Sequence, residues 1–357
     1  MENLMRNPDL FERIAERFKR FTERLSKLTF KDVLNIILNN IVIVLGVLAI
    51  LVVSMLRPNF MLSDSINNNL RNISVRFIIA LGVSGCLITR GTDLSAGRAV
   101  GLAACISAAL MQKADATNKV FPNLGNLNIF VGLLIVLAIM VFIGAVNGTI
   151  VAYLKVPPFI TTLGTQTIVY GIAMLFTKNL PIGTMRQDFT NIATGSLFNI
   201  KVIPYLALIA VAAGVVWWFL YNKTPHGKGM YAIGGNEAAA NVAGINIAKS
   251  FITIYALAGL MYGLGGFLLA AKSGGGSPGT SGVGYELDAI AACTVGGVSV
   301  SGGVGKIGGI LLGVTIFELL KTAMQFMGVS PNYTYIVQGF VIVFAVALDM
   351  RKYVAKK

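Results

Sequence analysis

Residues 128–154 read NIFVGLLIVLAIMVFIGAVNGTIVAYL and contain no charged side chain. About 20 apolar residues in an α-helix cross the hydrocarbon core of a bilayer, so this stretch is long enough to span a membrane. Inside lipid, backbone polar groups must be satisfied within a helix or within a closed β-barrel. Apolar runs of this kind recur along the chain and lack the alternation of barrel strands. The sequence therefore predicts an all-α fold, a polytopic bundle of membrane helices.

The composition points the same way. Hydrophobic residues make up 55% of the 357 residues and charged residues only 12%, whereas a soluble domain carries about 25% charged residues. The net charge of +14 is interpreted as a topology signal and not as nucleic-acid binding, because basic residues hold the cytoplasmic ends of spans inside. The three cysteines lie in apolar stretches, which favours buried thiols over disulfides.

About ten membrane spans are expected, and together they form one transmembrane domain over residues 34–350. The segment 286–300 is short for a full crossing, so it is either a short span or a re-entrant segment. The spans are placed at 34–56, 72–90, 94–113, 128–154, 159–178, 203–221, 250–271, 286–300, 306–328 and 332–350.

The distribution of Lys and Arg predicts the orientation. Nineteen of the 29 basic residues fall in segments assigned to the inner side, and nine fall on the opposite side with span ends included. The positive-inside rule then places both termini and the 223–249 loop in the cytoplasm. The inner segments are 1–33, 90–98, 155, 223–249, 306 and the basic tail 351–357.

The N-terminal segment 1–33 has an amphipathic, basic pattern without the features of a signal peptide. Apolar residues recur at three- and four-residue spacing, and Arg and Lys fill the other faces. Two interpretations stay open: a helix on the cytoplasmic membrane surface, or a solvated helical extension. The apolar positions are Leu10, Ile14, Phe18, Phe21, Leu25 and Leu28.

The polar loop 222–249 interrupts the apolar pattern and contains GGNEAAANVAG at residues 234–244. Gly234 and Gly235 predict a turn, Asn236 a helix N-cap, and Gly244 the C′ position of a short helix over 237–243. Glu237 lies favourably at the positive end of the helix dipole. A helix of about two turns is marginal alone, so it is expected to dock on another surface. That surface belongs either to this chain or to a separate protein.

Uncharged polar residues form a stripe on the predicted span 159–178. Residues at i,i+4 spacing share a helix face, and polar groups inside lipid are costly. The stripe suits a neutral, polyhydroxylated solute passing through, while hydrogen bonding between helices is the alternative. The candidates for a translocation path are Asn147, Thr161, Thr162, Thr165, Gln166 and Tyr170.

Charged residues mark two further places. Tyr285, Glu286 and Asp288 begin a helix after the glycine-rich segment 274–284, which is expected to be a flexible outer loop. They are candidates for an outer gate or a contact with an outer partner, with plain N-terminal capping as the alternative. Glu318 and Lys321 are spaced i,i+3 within a span and are expected to pair with each other. A proton-coupling role for Glu318 is the sharper alternative.

Enzymatic motifs do not emerge from the sequence. The segment Gly303–Lys306 lacks the first glycine and the hydroxyl residue of a phosphate loop. Ser84 in a G-x-S-G pattern has no histidine on a neighbouring span, because the single His226 lies in the polar loop. We expect no catalytic residue, no metal site and no cofactor in this chain.

A weak internal repeat is also present. GTDLSAG at 91–97 and GVSVSGG at 297–303 share the pattern G-x-x-φ-S-small-G. Both fall where one apolar helix ends and the next begins, as in transporters built on repeats. Chance is the alternative, because the chain has 40 glycines.

Several blocks in fixed order resemble the membrane subunits of bacterial ABC importers for monosaccharides, the ribose and galactose group. The likeness covers about residues 35–357. The blocks are GTDLSAGR at 91–98, PFITTLGT at 158–165, GGNEAA at 234–239, GIN at 244–246, YELDAIAA at 285–292, GG at 296–297, SGG at 301–303 and FAVALD at 344–349.

The resemblance implies a homodimeric permease in the lipid bilayer that moves a monosaccharide, with a galactoside as the first expectation. Two cytoplasmic ATPase subunits would use the ATP, and a periplasmic sugar-binding protein would deliver the solute. The helix over 236–244, including Ala238 and Ala239, would be the coupling helix that enters a groove on the ATPase. The alternatives are ribose or a nucleoside as solute, or an ion-coupled secondary transporter. A scaffold without transport is a third class.

Overall fold

The computed structural model describes residues 41–197 and 203–354. Within these ranges the chain forms 13 α-helices and no β-strand, which confirms the predicted all-α fold. The helices are α1 Ile41–Leu56, α2 Ser63–Ile88, α3 Ala96–Leu110, α4 Ile129–Tyr153, α5 Pro158–Thr177, α6 Gln187–Thr194, α7 Tyr205–Lys223, α8 Pro225–Gly235, α9 Glu237–Val242, α10 Ile247–Ser273, α11 Tyr285–Val295, α12 Ile307–Phe326 and α13 Pro331–Val354.

The chain divides into two units, Met1–Leu45 and Gly46–Lys357, and the features below belong to the second. The predicted amphipathic segment 1–33 lies outside the described residues. So do the first part of the predicted span 34–56 and the last three residues of the basic tail.

Among the described residues, six helices are long and apolar enough to cross a membrane: α2, α4, α5, α7, α10 and α12. Three shorter apolar helices, Ile43–Leu56, Ala96–Leu110 and Asn332–Phe344, fall on three more of the predicted spans. The helix α2 begins at Ser63, before the predicted start at residue 72. Its first turns are polar (SDSINNNLR), so an apolar pattern reveals only the later part of this helix.

The helices α2 and α10 form the centre of the bundle. In the most apolar 18-residue stretch of α2, 83% of the residues are buried, against 22% in the corresponding stretch of α4. The outer face of α4 exposes large apolar side chains, including Phe130, Leu134 and Phe142, and this face suits lipid. Its inner face carries a G-x-x-x-G pair, Gly144 and Gly148. A Cβ at either would meet the backbone of α10, so the two helices pack closely through small residues.

The segment predicted as a short or re-entrant span proves to be half helix and half irregular chain. The helix α11 has 11 residues, a length of about 16 Å, which is roughly half of the hydrocarbon core. The preceding segment 274–284 packs against α3. A Cβ on Gly276 would approach the carbonyl oxygen of Ala104, and one on Gly282 that of Gly97.

The expectation of a flexible outer loop at 274–284 is therefore wrong. The segment is largely half-buried and lies along α3. Irregular backbone at membrane depth is tolerated where protein surrounds it, and glycines allow the close approach.

The three cysteines are buried free thiols, as predicted.

Candidate functional site

The short helix α9 has a defined cap at each end. The side chain of Asn236 accepts a hydrogen bond from the backbone N–H of Ala239 at 3.0 Å, which confirms the predicted N-cap. At the other end, Ile245 N donates to Ala240 O at 3.1 Å and Gly244 N to Asn241 O at 3.0 Å. With Gly244 at φ +86°, these bonds form a Schellman motif. Local hydrogen bonds thus define where the helix begins and where it ends.

Most of α9 faces outward. Glu237, Ala238 and Ala239 are exposed, Ala240 alone in the helix is buried, and Val242 is 90% exposed. The contact with the rest of this chain is therefore small for a helix that needs tertiary support. A groove of about 740 Å³ lies beside the helix, lined by Glu237, Ala238, Asn241, Lys155 and residues 244–248.

The glycines before Asn236 differ from the sequence-based expectation. Gly234 and Gly235 end the helix α8 and do not form a turn. The helix α8 begins at Pro225 after an N-cap by Thr224, whose hydroxyl accepts from Gly227 N at 3.2 Å. The capping Thr and N1 proline favour a helix start at this point. The prediction of a polar loop over 222–249 did not include this helix.

Arg90 ties the end of α8 to the end of α2. Its Nε donates to Gly234 O at 2.8 Å and its Nη2 to Gly235 O at 2.6 Å. Arg90 has φ +62°, a left-handed conformation that is costly for a residue with a side chain. Its contacts with α8 hold it there. From the sequence alone, Arg90 is predicted only as an inner positive charge.

Gly234 packs directly on two other segments. A Cβ at this position would meet the carbonyl oxygen of Ile88 and the backbone nitrogen of Gly303 at 2.6 Å, whereas one on Gly235 would meet nothing within 4 Å. Gly303 N also donates to Ile88 O at 2.8 Å. The ends of α2 and α8 and the turn before α12 therefore meet at one point.

The two copies of the possible repeat motif follow the ends of α2 and α11. Gly302 of the second copy packs beside Arg90, the residue before the first copy, where an added Cβ would meet the Arg90 side chain. Asp349 supports the second copy, since its Oδ2 accepts from Ser299 Oγ at 2.8 Å and from Val300 N at 3.1 Å. Whether the motifs reflect a true repeat stays a prediction.

The candidate path residues on α4 and α5 enter a buried hydrogen-bond network. Thr165 Oγ1 donates to Asn147 Oδ1 at 2.5 Å, and Asn147 Nδ2 donates to Ser95 Oγ at 3.2 Å. The Ser95 hydroxyl donates to Asp93 at 2.6 Å, and Tyr262 OH donates to the other oxygen of Asp93 at 3.0 Å. The network joins α4, α5 and α10 to the α2–α3 turn.

The remaining stripe residues have different surroundings. Thr162 Oγ1 accepts from Leu94 N at 3.1 Å, while the buried Oγ1 of Thr161 has no hydrogen-bond partner among the described residues. Gln166 and Tyr170 are half-buried, and the guanidinium of Arg98 stacks on the Tyr170 ring at 4.1 Å. The assignment of these residues to a path stays a proposal.

A buried charge cluster joins four helices, and we call it the Asp288 cluster: Arg76, Asp288, Glu318, Lys321 and Gln338. Arg76 forms an ion pair with Asp288 and another with Glu318, the latter at 2.6 Å. Lys321 Nζ lies 2.5 Å from Asp288 Oδ2, and Gln338 Nε2 donates to Asp288 Oδ1 at 2.6 Å. The expected pairing of Glu318 with Lys321 is therefore wrong, because each finds an opposite charge on another helix.

The three candidates for an outer gate, Tyr285, Glu286 and Asp288, lie on different sides of α11. Tyr285 and Asp288 belong to one side of α11, where the guanidinium of Arg76 lies 4.5 Å from the centre of the Tyr285 ring. Glu286 is buried on another side against α3, where a Cβ on Gly97 would run into its carboxylate. The three side chains therefore do not meet to form a single gate.

Ser84, considered as a nucleophile, has an ordinary packing environment. Its hydroxyl donates to Leu81 O at 2.7 Å and lies 2.9 Å from Tyr221 OH. Tyr221 is buried and is not a general base at neutral pH. These bonds account for Ser84 as a polar link between α2 and α7.

Comparison with known proteins places the chain in a family. A family model described as "Branched-chain amino acid transport system / permease component" matches residues 65–346. The chain is 48% identical over 323 residues to the galactose/methyl galactoside import permease protein MglC of Salmonella typhimurium, covering 88% of this chain and 94% of that protein. It is 46% identical over 305 residues to the protein of that name from Haemophilus influenzae, covering 84% and 90%.

A second group of relatives is named for ribose. The ribose import permease protein RbsC of Haemophilus influenzae is 37% identical over 307 residues, covering 85% of this chain and 90% of that protein. No solved structure matches the chain. The family match over residues 65–346, these identities and the helical membrane fold show that the chain belongs to the branched-chain amino acid transport system / permease component family, a family of multi-pass membrane permeases.

Proposed function

We propose that this chain is the membrane-spanning subunit of an ATP-binding-cassette importer in the cell inner membrane, and that it moves a galactoside into the cytoplasm. The observation that carries the proposal is α9, a doubly capped helix that exposes all its residues except Ala240. A helix this short persists when a partner surface covers it. An ATPase subunit is that partner, and ATP hydrolysis takes place there.

The choice of solute rests on the relatives. The 48% identical proteins are named for galactose and methyl galactoside, and the ribose permease is 37% identical. Galactose or a methyl galactoside is therefore the first candidate and ribose the second. A periplasmic sugar-binding protein delivers the solute, and a second copy of this chain completes the pathway, with both termini cytoplasmic.

The structure supports a mechanism in which α9 transmits movement to the bundle. Arg90 and Gly234 join the end of α8 to the end of α2, and α2 is mostly buried at the centre. A displacement of α9 by the ATPase then reaches α2 through α8. Packed elements of this kind move as rigid bodies between outward- and inward-open states.

The test uses inner-membrane vesicles that contain the chain with its ATPase and its sugar-binding protein. We expect ATP-dependent uptake of radiolabelled galactose that Glu237→Lys abolishes and Glu237→Gln largely preserves. Glu237 is exposed at the first turn of α9, so reversal of its charge leaves the bundle intact and acts on α9, both through docking and through the helix dipole. Membrane abundance of each variant controls for insertion.

Three outcomes count against the proposal. Normal uptake by Glu237→Lys contradicts the role of α9. Uptake that proceeds without ATPase and collapses with the proton gradient identifies an ion-coupled transporter. Uptake of leucine in place of any sugar would show that the solute is an amino acid, as in the description of the family, and not a sugar, as in the names of the relatives.

A further inference from the structure

A polar cavity of about 220 Å³ lies where α11 begins, inside the second unit of the chain. Its volume equals that of about seven water molecules in the liquid, which is the scale of one sugar ring and too small for a chain of several. The lining residues come from α2, α11, α12, α13 and the segment before α11. They include Arg76, Tyr285, Asp288, Lys321, Thr334 and Gln338.

The cavity opens where α12 ends and α13 begins, and Arg76 and Asp288 form its deeper part. Arg76 precedes the coupling end of α2 at Ile88 by about 18 Å along the helix, and Asp288 precedes the end of α11 by about 10 Å. The hydrocarbon core is about 30 Å thick. Because the segment 274–284 is irregular and α11 begins at Tyr285, the start of a helix lies beside the cavity. Broken helices also line the solute sites of many transporters.

The floor of the cavity is electrically balanced. The positive charges of Arg76 and Lys321 are matched by Asp288, and by Glu318 behind Arg76. A cation or an anion would meet an opposite charge that is already paired. The site therefore favours a neutral ligand with many hydroxyl groups, because the side chains keep further donors and acceptors for it.

The walls supply the other contacts that a sugar requires. The Tyr285 ring lines the cavity with Arg76 stacked on it at 4.5 Å. At the mouth, Tyr335 is 63% exposed, and Gln325 and Thr334 add an amide and a hydroxyl. Ligand sites combine apolar and aromatic surface with a few fixed polar groups in this way.

Stability alone is a weak reason for the Asp288 cluster. A charge at the centre of a bilayer costs about 2.5–3.5 kcal/mol or more. Apolar residues of similar volume often replace a buried ion pair with no loss of stability. The cluster also leaves a cavity beside it, which an apolar contact would fill.

We propose that this cavity binds a single neutral sugar during passage through the membrane, with Asp288, Gln338 and Lys321 holding hydroxyl groups and Tyr285 facing the ring. The proposal rests on the proposed function. It adds a sugar site within the permease itself, separate from the periplasmic protein that delivers the solute.

The experiment measures equilibrium binding of radiolabelled galactose to the full-length chain in lipid nanodiscs, without sugar-binding protein. We expect saturable binding that unlabelled methyl galactoside displaces and leucine does not. Thr334→Phe fills the cavity without touching an ion pair and should weaken binding at least about tenfold, or about 1.4 kcal/mol. Gln325→Ala, at an exposed position, should weaken it severalfold.

The matched control is Thr315→Ala on the same helix as Lys321. Thr315 is half-buried outside the cavity lining, and its hydroxyl donates to the backbone oxygen of Leu311 at 2.8 Å, so binding should not change. Thermal unfolding of each variant in nanodiscs shows whether the fold is retained. Asp288→Asn, which leaves Lys321 without its partner, is measured last because it risks the fold.

Three results overturn the proposal: no saturable binding by the wild-type chain, displacement by leucine, or unchanged binding by folded Thr334→Phe. If the assembled importer still takes up galactose in such a case, the cavity proposal fails and the proposed function stands. If the assembled wild-type importer takes up no sugar with ATP, the proposed function fails independently.

Discussion

The Nε of Arg90 lies 2.8 Å from the carbonyl oxygen of Gly234, although the two residues are 144 positions apart in the chain. The bond joins the turn after α2 to the last turn of α8. A guanidinium donates to two acceptors in a fixed geometry, and here it holds the successive carbonyls of Gly234 and Gly235. The connection between α9 and the centre of the bundle passes through this contact.

Arg90→Lys should uncouple ATP hydrolysis from uptake. Lysine keeps the charge but loses the forked pair of hydrogen bonds, so we expect ATPase activity to persist while galactose uptake falls at least about tenfold, a change of about 1.4 kcal/mol. The two rates are measured on one preparation of the reconstituted importer. Arg57→Lys, at an exposed position, is the control and should change neither rate. Equal loss of both rates in Arg90→Lys would point to misfolding.

Gly234→Ala and Gly235→Ala should differ sharply although the residues are neighbours. A Cβ at Gly234 meets the backbone of Ile88 and Gly303, and one at Gly235 has open space. Overpacking of this kind costs about 1–3 kcal/mol, so Gly234→Ala should lower thermal stability and uptake. Gly235→Ala should behave as wild type. Identical melting temperatures for the two variants would contradict the packing at α8.

Thr165→Val separates the two interpretations of the polar stripe. The substitution removes the hydrogen bond to Asn147 and keeps the shape of the side chain. Hydrogen bonds between membrane helices average about 0.6 kcal/mol, so a structural role predicts a small loss of thermal stability with uptake nearly unchanged. A lining role predicts the reverse, with a raised KM for uptake. Thr167→Val, exposed on the same helix, is the control.

Arg76→Met should be severely destabilising. It leaves Glu318 without an ion-pair partner and removes one partner of Asp288, and breaking a buried pair costs about 3–5 kcal/mol. The double variant Arg76→Met/Glu318→Gln removes the stranded charge and should regain part of the stability. Thermal unfolding in detergent measures both. A double variant no more stable than the single one would show that Glu318 was not paired with Arg76.

The single histidine should make stability depend on pH. Burial lowers the pKa of His226 from 6.5, so the folded chain holds this proton less tightly than the unfolded chain. Stability is therefore present above pH 6.5 and is lost as the pH falls from there towards the lowered pKa. We expect the difference in melting temperature between pH 7.5 and pH 5.5 to shrink in His226→Gln. An unchanged difference would mean that other groups cause the dependence.

The parts that were predicted correctly depend on residues close in the chain. The caps of α9 by Asn236 and Gly244 follow from spacing of a few positions. The long apolar helices follow from composition alone. The start of α8 is signalled in the same local way, by Thr224 as N-cap and Pro225 as first residue, but it was not predicted.

The parts that failed depend on residues far apart. Glu318 and Lys321 are spaced for mutual pairing, yet Arg76 from α2 and Asp288 from α11 pair with them. Such partners emerge only when helices are placed side by side. The packing of the glycine-rich segment 274–284 was not predicted for the same reason, because its glycines contact the backbone of α3, which is far away in the chain.

The helix α2 carries Arg76 near its middle and the Ile88 contact at its end, and no proline interrupts it. One uninterrupted helix therefore connects the two places. If the ATPase grips α9 more firmly when a sugar occupies the membrane cavity, then nucleotide-driven docking must strengthen sugar retention by the same factor. In that case the helix α2 would transmit the occupancy of the cavity to the ATPase bound at α9.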